Sequence, residues 1–222
     1  MLSVLVQALV LASAGIISVG SITLVILLLI SDRGWHNGLS YAMGYTGGYT
    51  LIGMTAVLLG YRSSRNDAAE PGLFLPILHL ALGTLLLWIS LRNWRKPSEA
   101  EQKPPRFFDI VDQVTPLKAL GFGALISVIN FKNLALFLSA QSVIILSELP
   151  ITEKLVISLL VAIVFCLSVI IPVLIYLLFP RRAKLLLSTI KQTLNRHSRP
   201  IGIWIPLIFG LLFITKGITD LL

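Results

Sequence analysis

Asn130, Lys132 and Asn133 form a polar group inside a long apolar segment, residues 117–147. Lys132 lies fourteen residues beyond Lys118, so a helix that rises ~1.5 Å per residue places it ~20 Å into the segment. A charge that deep in a bilayer costs ~2.5–3.5 kcal/mol on insertion scales and usually has a function. The alternative is a lysine that extends to the nearer membrane surface, which leaves the two asparagines unexplained.

The acidic residues lie away from this group. All ten Asp and Glu residues fall in predicted loops or at the ends of apolar segments. A proton or cation pathway usually needs a carboxylate within the membrane, whereas a lysine with amide neighbours suits a carboxylate, phosphate or sulfate. No nucleotide-binding loop, catalytic triad or metal-ligand pair is visible, and Cys166 is the single cysteine. The sequence therefore predicts a protein that is not an enzyme and needs no cofactor or metal.

The composition is that of a membrane protein, with 56% hydrophobic and 13% charged residues. Six apolar segments are longer than strands and lack two-residue alternation. They predict an all-α polytopic membrane protein with six transmembrane helices in a single domain, residues 1–222. The segments are residues 4–30, 38–60, 73–91, 117–147, 155–179 and 201–221.

Lysine and arginine are distributed unequally among the connections. The connections between segments 1 and 2, 3 and 4, and 5 and 6 hold thirteen of them, and the opposite side holds four. The positive-inside rule therefore predicts cytoplasmic 3–4 and 5–6 loops and both termini outside. Because the basic residues are not interleaved with aromatic ones, no nucleic-acid partner is expected. Residues 181–200 predict a basic amphipathic helix on the inner leaflet, with Leu186, Leu187, Ile190 and Leu194 on one face.

Two short sequence matches indicate an internal repeat. Residues 16–19 (IISV) recur as 125–128 (LISV), and residues 82–91 parallel residues 209–218. Segment 1 thus pairs with 4 and segment 3 with 6, which predicts a 3+3 inverted repeat whose site lies near the membrane midplane. The halves are residues 1–92 and 117–222, joined by a cytoplasmic linker, 93–116. The predicted substrate-binding residues are Ser18, Gly20, Ser127, Asn130, Lys132 and Asn133.

Segments 2 and 5 carry further patterns. Gly44 and Gly48 form a GxxxG motif that favours close helix packing. The tyrosines at 41, 45 and 49 make one helix face, either packed or lining a cavity. Pro172 predicts a disturbed helix near the cytoplasmic end of segment 5. This kink either gates a pathway or is satisfied locally.

The segment FFDIVDQVTPLKALGFGALISVINFKNLALFLSA resembles the signature of the GAP family, which includes the sulfolipid-1-addressing and glycopeptidolipid-addressing membrane proteins of mycobacteria and sits in the LysE transporter superfamily. SDRGWHNGLSYAMGYTGG and IIPVLIYLLFPRRAKLLL are also similar to the family, so the resemblance covers nearly the whole chain. The matching motif residues are Asp112, Thr115, Pro116, Asn130, Lys132 and Asn133. The resemblance implies six spans in a bacterial inner membrane and outward movement of a lipid or small solute.

Two positions depart from the family pattern. Phe131 stands where the motif has a proline, and residues 18–21 (SVGS) stand where the first span has a proline-bearing turn. Those prolines would break their helices and free backbone groups for a substrate. In this chain Gly20 is the residue that can loosen the first helix.

Two functions of different classes remain from the sequence. The first is an exporter of an anionic lipid, glycolipid or small solute, with Lys132 in the central site. The second is a non-transporting scaffold or accessory subunit of a lipid-export assembly, which would dock partners on the 181–200 helix and the 3–4 loop. Expected partners are membrane lipids, the anionic substrate, and a second copy of the chain or an export complex.

Overall fold

The computed structural model describes residues 1–31, 34–66, 74–95, 114–179, 182–196 and 198–219. Within these ranges every regular element is helical and there is no strand, as the sequence predicts. Residues 96–113, most of the predicted linker, lie outside the described residues. The helices are α1 (Leu2–Ala12), a 3₁₀ turn (Ser13–Gly15), α2 (Val19–Ile30), α3 (Gly34–Asn66), α4 (Phe74–Arg95), α5 (Pro116–Ile129), α6 (Phe131–Ile145), α7 (Ile151–Phe165), α8 (Leu167–Leu178), α9 (Ala183–Arg196) and α10 (Ser198–Thr219).

Three apolar segments fold as two helices instead of the single helix that each one predicts. The bends are 63° between α1 and α2, 72° between α5 and α6, and 61° between α7 and α8. Within the described residues, no single helix is both long and apolar enough to cross a bilayer. Each bent pair meets that requirement by its combined length and composition.

Polar caps, not prolines, break the first and fourth segments. Asn130 ends α5 with φ −76° and ψ 75°, and its Oδ1 accepts a hydrogen bond from the backbone N–H of Asn133, 3.3 Å away. Ser18, with φ −98° and ψ 91°, holds the N-cap position of α2, and its hydroxyl donates to Ser21 Oγ instead of capping a backbone N–H. Asn and Ser side chains compete with helical hydrogen bonds and therefore favour helix starts. The bends thus form although both family prolines are absent.

The bend in the fifth segment does not lie at Pro172. It lies at Cys166, and Pro172 is buried inside α8, six residues further along. A proline removes the hydrogen bond from its own nitrogen to the carbonyl four residues earlier, here Ser168, so it cannot disrupt the turn at Cys166. Nothing in the sequence at Cys166 accounts for the bend.

Helix α3 is the centre of the packing, with α5, α6, α7 and α2 around it. It runs parallel to α5 at very short distance, because glycines lie at the contact. A Cβ at Gly44 would meet the carbonyl of Leu120, and one at Gly123 would meet the carbonyl of Tyr41. The GxxxG prediction of close packing is therefore confirmed.

Helices α4 and α10 form a second close pair. They run antiparallel, and Gly83 and Gly210 face each other's backbone: a Cβ on either would lie 3.0–3.1 Å from the carbonyl oxygen of the other. The Ser90 hydroxyl donates to the carbonyl of Ile203, 2.9 Å away, near the other end of the pair. The pair is thus fixed by backbone approach more than by large side chains.

Helix α9 confirms the predicted helix within residues 181–200. It packs against α2 and α8 through buried Ala183 and Leu187, while Ile190 is half-buried. Leu186 is more exposed than the predicted face requires. The side chain of Leu194 lies outside the described residues.

Large apolar side chains cover much of the outer surface. Leucines, isoleucines and valines on most of the helices are exposed, and so are Trp35, Trp88, Trp94 and Trp204. Soluble monomers rarely expose apolar patches of such extent, and tryptophans are enriched where helices reach a membrane surface. This surface indicates association with a membrane.

Candidate functional site

Four polar side chains meet inside the molecule where the bends of the first and fourth segments come together. Asn133 Nδ2 donates to Ser18 Oγ at 2.7 Å and to the Tyr45 hydroxyl at 3.2 Å. Ser21 Oγ lies 3.1 Å from the same hydroxyl and 3.0 Å from Ser18 Oγ. All four residues are buried. We call these four residues the polar cluster.

Two helix starts and one continuous helix position the polar cluster. Ser18 is the N-cap of α2, Asn133 lies in the first turn of α6, and Tyr45 projects from the buried face of α3. The first backbone N–H groups of a helix have no intrahelical partner, and the helix dipole makes this end partly positive. Two such ends therefore lie beside the polar cluster, an arrangement that favours anions.

Lys132 is the second residue of α6, next to Asn133. Its side chain is half-buried. Among the described residues, it has neither a hydrogen-bond acceptor nor an acidic partner, although Asn130 and Asn133 lie within two residues of it. The ammonium group thus adds a charge without a protein partner to the positive end of α6.

The other predicted site residues divide into two groups. Asn130 adjoins the polar cluster as the cap of α6. Ser127 is buried one turn before the bend, where its hydroxyl bonds the carbonyl of Ala124 at 2.7 Å and its side chain packs against Gly48. Gly20 is exposed, and a Cβ there would have no atom within 4 Å. The structure therefore joins Ser18, Asn130 and Asn133 by hydrogen bonds and places Lys132 next to Asn133 in the chain, whereas Ser127, Gly20 and Pro172 make no hydrogen bond to them.

The predicted site omits two members of the polar cluster, Ser21 and Tyr45. Tyr45 belongs to the tyrosine face of α3, all of which is buried. Ser21 lies three residues after Ser18, the same spacing as Asn133 after Asn130. A search for polar residues three positions after a cap would have found it.

Aromatic rings close one side of the polar cluster. The ring of Tyr49 lies 4.9 Å from those of Phe137 and Phe165, and these two are 5.1 Å apart. Gly15 allows Phe165 to approach the first bend, since a Cβ there would overlap the ring. In the part of the chain that the structure describes, no three His, Cys, Asp or Glu residues lie together as metal ligands. The site therefore offers hydrogen bonds and positive charge.

The family model described as Sap, sulfolipid-1-addressing protein, matches residues 8–219. This range includes the bends of the first and fourth segments and the whole polar cluster. The chain belongs to the sulfolipid-1-addressing protein family. Membership confirms the resemblance inferred from the motif residues, and it joins the apolar surface as a second indication of membrane association. No curated protein and no solved structure matches the chain.

Proposed function

We propose that this member of the sulfolipid-1-addressing family is an integral membrane exporter of an anionic lipid or glycolipid. The observation that carries the proposal is that α2 and α6 both begin at the polar cluster, and that Lys132, in the first turn of α6, has no partner among the described residues. A sulfate, phosphate or carboxylate headgroup would bond the free N–H groups of α6 and the Lys132 ammonium. The Ser18 and Asn133 side chains would orient it.

An apolar groove for a lipid tail reaches α6 at Val143, ten residues or ~15 Å along the helix from Asn133. The groove has a volume of about 520 Å³ and lies between α1, α6 and α10. Its walls are mainly apolar, and its polar groups are one glutamine and two threonines. Apolar grooves of this size are typical of ligand sites. A lipid with a charged headgroup matches both parts better than a small polar solute does.

The exporter would cross the membrane six times as a 3+3 inverted repeat. The alignment of residues 82–91 with 209–218 makes Gly83 equivalent to Gly210, and these two residues touch. The alignment also makes Leu87 equivalent to Ile214, so the contact of Gly83 with Ile214 corresponds to the contact of Gly210 with Leu87. Equivalent residues that meet across an antiparallel pair support a two-fold axis in the membrane plane.

The helix starts support the same symmetry with a different alignment. At the start of α2 the Ser18 hydroxyl donates to Ser21 Oγ, and at the start of α6 the backbone N–H of Asn133 donates to Asn130 Oδ1, so each start has a bond between residues three apart. This correspondence pairs Ser18 with Asn130, three residues beyond Ser127. The repeat would therefore be clearest in the positions of the helix breaks. The IISV match differs from this alignment by three residues, about one helical turn.

We expect the 3–4 loop in the cytoplasm of a bacterial cell and both termini outside the inner membrane. Because Cys166 is buried and single, cysteines placed singly at positions 98 and 146 can be labelled separately with a membrane-impermeant maleimide. The residue at 146 should react in intact cells, and the residue at 98 only after permeabilisation. Ready labelling of position 98 from outside would contradict the orientation.

Comparative lipid analysis of a deletion strain tests the export proposal. We expect one class of anionic lipid to accumulate in the inner membrane and to decrease at the cell surface by tenfold or more. Purified protein in vesicles should then move that lipid between leaflets without other proteins. If the lipid changes in cells but purified protein moves none, the protein is a scaffold or accessory subunit of a larger export assembly.

A further inference from the structure

A second polar group lies deeper along the same helices. Helices α3 and α6 run side by side in a constant register, so that Tyr45 faces Asn133 and Tyr49 faces Phe137. One turn further, Gly53 faces Gln141, and Ser158 approaches from α7. The aromatic rings of Tyr49, Phe137 and Phe165 therefore separate this group from the polar cluster.

Gln141 and Ser158 are buried without hydrogen-bond partners. Gln141 has 0% and Ser158 1% of its surface exposed. Neither the Gln141 amide nitrogen, its oxygen nor the Ser158 hydroxyl has a partner in the described structure. Buried side-chain polar atoms are nearly always paired with protein or ordered water, so three unpaired atoms on facing helices indicate a ligand.

Gly53 lacks the Cβ that any other residue would place between these two polar side chains. A Cβ there would lie 2.8 Å from Ser158 Oγ, 2.9 Å from Gln141 Nε2 and 3.0 Å from Phe137 Cζ. Any other residue would insert a methyl group between the two polar side chains. The amide of Gln141 and the hydroxyl of Ser158 thus both lie within 3 Å of the position that a Cβ of residue 53 would take.

We propose that Gln141, Ser158 and Gly53 form an internal water site that joins α3, α6 and α7. Water both donates and accepts, so it can pair with the amide oxygen, the amide nitrogen and the hydroxyl, and a buried water typically makes two to four such bonds. An anion lacks donors for the amide oxygen. A metal cation would meet an amide nitrogen beside only two neutral oxygens.

X-ray hydroxyl-radical labelling of the purified protein in detergent tests the site directly, because ordered water activated by the beam oxidises buried neighbours. We expect oxidation of Phe137, although it is fully buried, and at least a fivefold loss of that product in Gly53→Ala. A Phe137 that is never oxidised in the wild-type protein would overturn the proposal.

The sign of a stability change gives an independent test. If water satisfies the Gln141 amide, Gln141→Leu removes a hydrogen-bond partner of that buried water and should lower Tm by roughly 2–4 °C. If the amide has no partner, the same substitution removes an unsatisfied group and should raise Tm. Ser158→Ala should lower Tm more than Ser139→Ala. The Ser139 hydroxyl bonds only the carbonyl of Ala135 in its own helix, at 2.8 Å, so its loss leaves no water without a partner.

The identity of the occupant is tested with salts. We expect equal Tm values in sodium, potassium and choline chloride at matched ionic strength. A sodium-dependent rise in Tm that disappears in Gln141→Leu would replace water with a cation and overturn the proposal. These measurements use purified protein alone, so their outcome does not depend on whether the protein exports a lipid.

Discussion

Lys132→Met is expected to leave the protein folded and inserted in the membrane but to abolish export of its lipid. Methionine keeps the length and apolar stem of lysine and removes the charge. No protein group within the described structure pairs with this ammonium, so folding loses no hydrogen bond or ion pair. An anionic headgroup would lose a charge-assisted contact of ~1.5–3 kcal/mol. The measurement is the surface lipid of a deletion strain that expresses the variant.

Two variants control this experiment. Lys118→Met removes an exposed lysine from the first turn of α5 and should export normally, because Lys118 lies at the opposite end of α5 from Asn130, where α6 begins. Lys132→Arg should be only partly tolerated, since a planar guanidinium does not replace a compact ammonium. Normal export by Lys132→Met, with wild-type amounts of protein in the membrane, would contradict the proposed site and favour the scaffold function.

Hydropathy was enough to predict the helical class and the order of the apolar segments. It could not predict the bends, because mean hydropathy does not change where a helix turns inside an apolar segment. The information lay in single polar residues. Asn130 caps α6 with its side chain and Ser18 holds the N-cap position of α2, so the prolines of the family pattern were the wrong feature to seek. The bend at Cys166 has no such residue.

The site was partly predictable because polar residues are rare in apolar segments. Lys132, Asn130 and Asn133 were found by depth and spacing, and the short repeat led to Ser18. The same repeat led to Ser127, whose hydroxyl is satisfied within its own helix. Sequence spacing gives the face of one helix but not which faces of different helices meet. The role of Tyr45 depends on the packing of α3 against α6 and could not be read from the chain alone.

The close approach of α3 and α5 makes a strong prediction about glycines. Gly44→Leu should prevent stable folding, because its Cβ would overlap the Leu120 carbonyl and lie 3.1 Å from the backbone nitrogen of Ala124. Backbone atoms inside a helix cannot move aside as a flexible side chain can. Overpacking usually costs ~1–3 kcal/mol and more where nothing can yield. We expect little monodisperse protein after extraction in mild detergent.

Gly47→Leu is the matched control, since Gly47 lies three residues away on the same helix and has no atom within 4 Å of its Cβ position. Leucine there should extract normally, because it also has a higher helix propensity than glycine. The partner helix offers the same comparison: Gly123→Leu should fail because its Cβ would lie 2.8 Å from the backbone nitrogen of Tyr45, whereas Gly121→Leu should fold. Equal behaviour of Gly44→Leu and Gly47→Leu would mean that α3 and α5 do not pack through backbone contact. The backbone of Tyr45 is part of this contact with Gly123, so a failure of the prediction would also call into question the position of Tyr45 in the polar cluster.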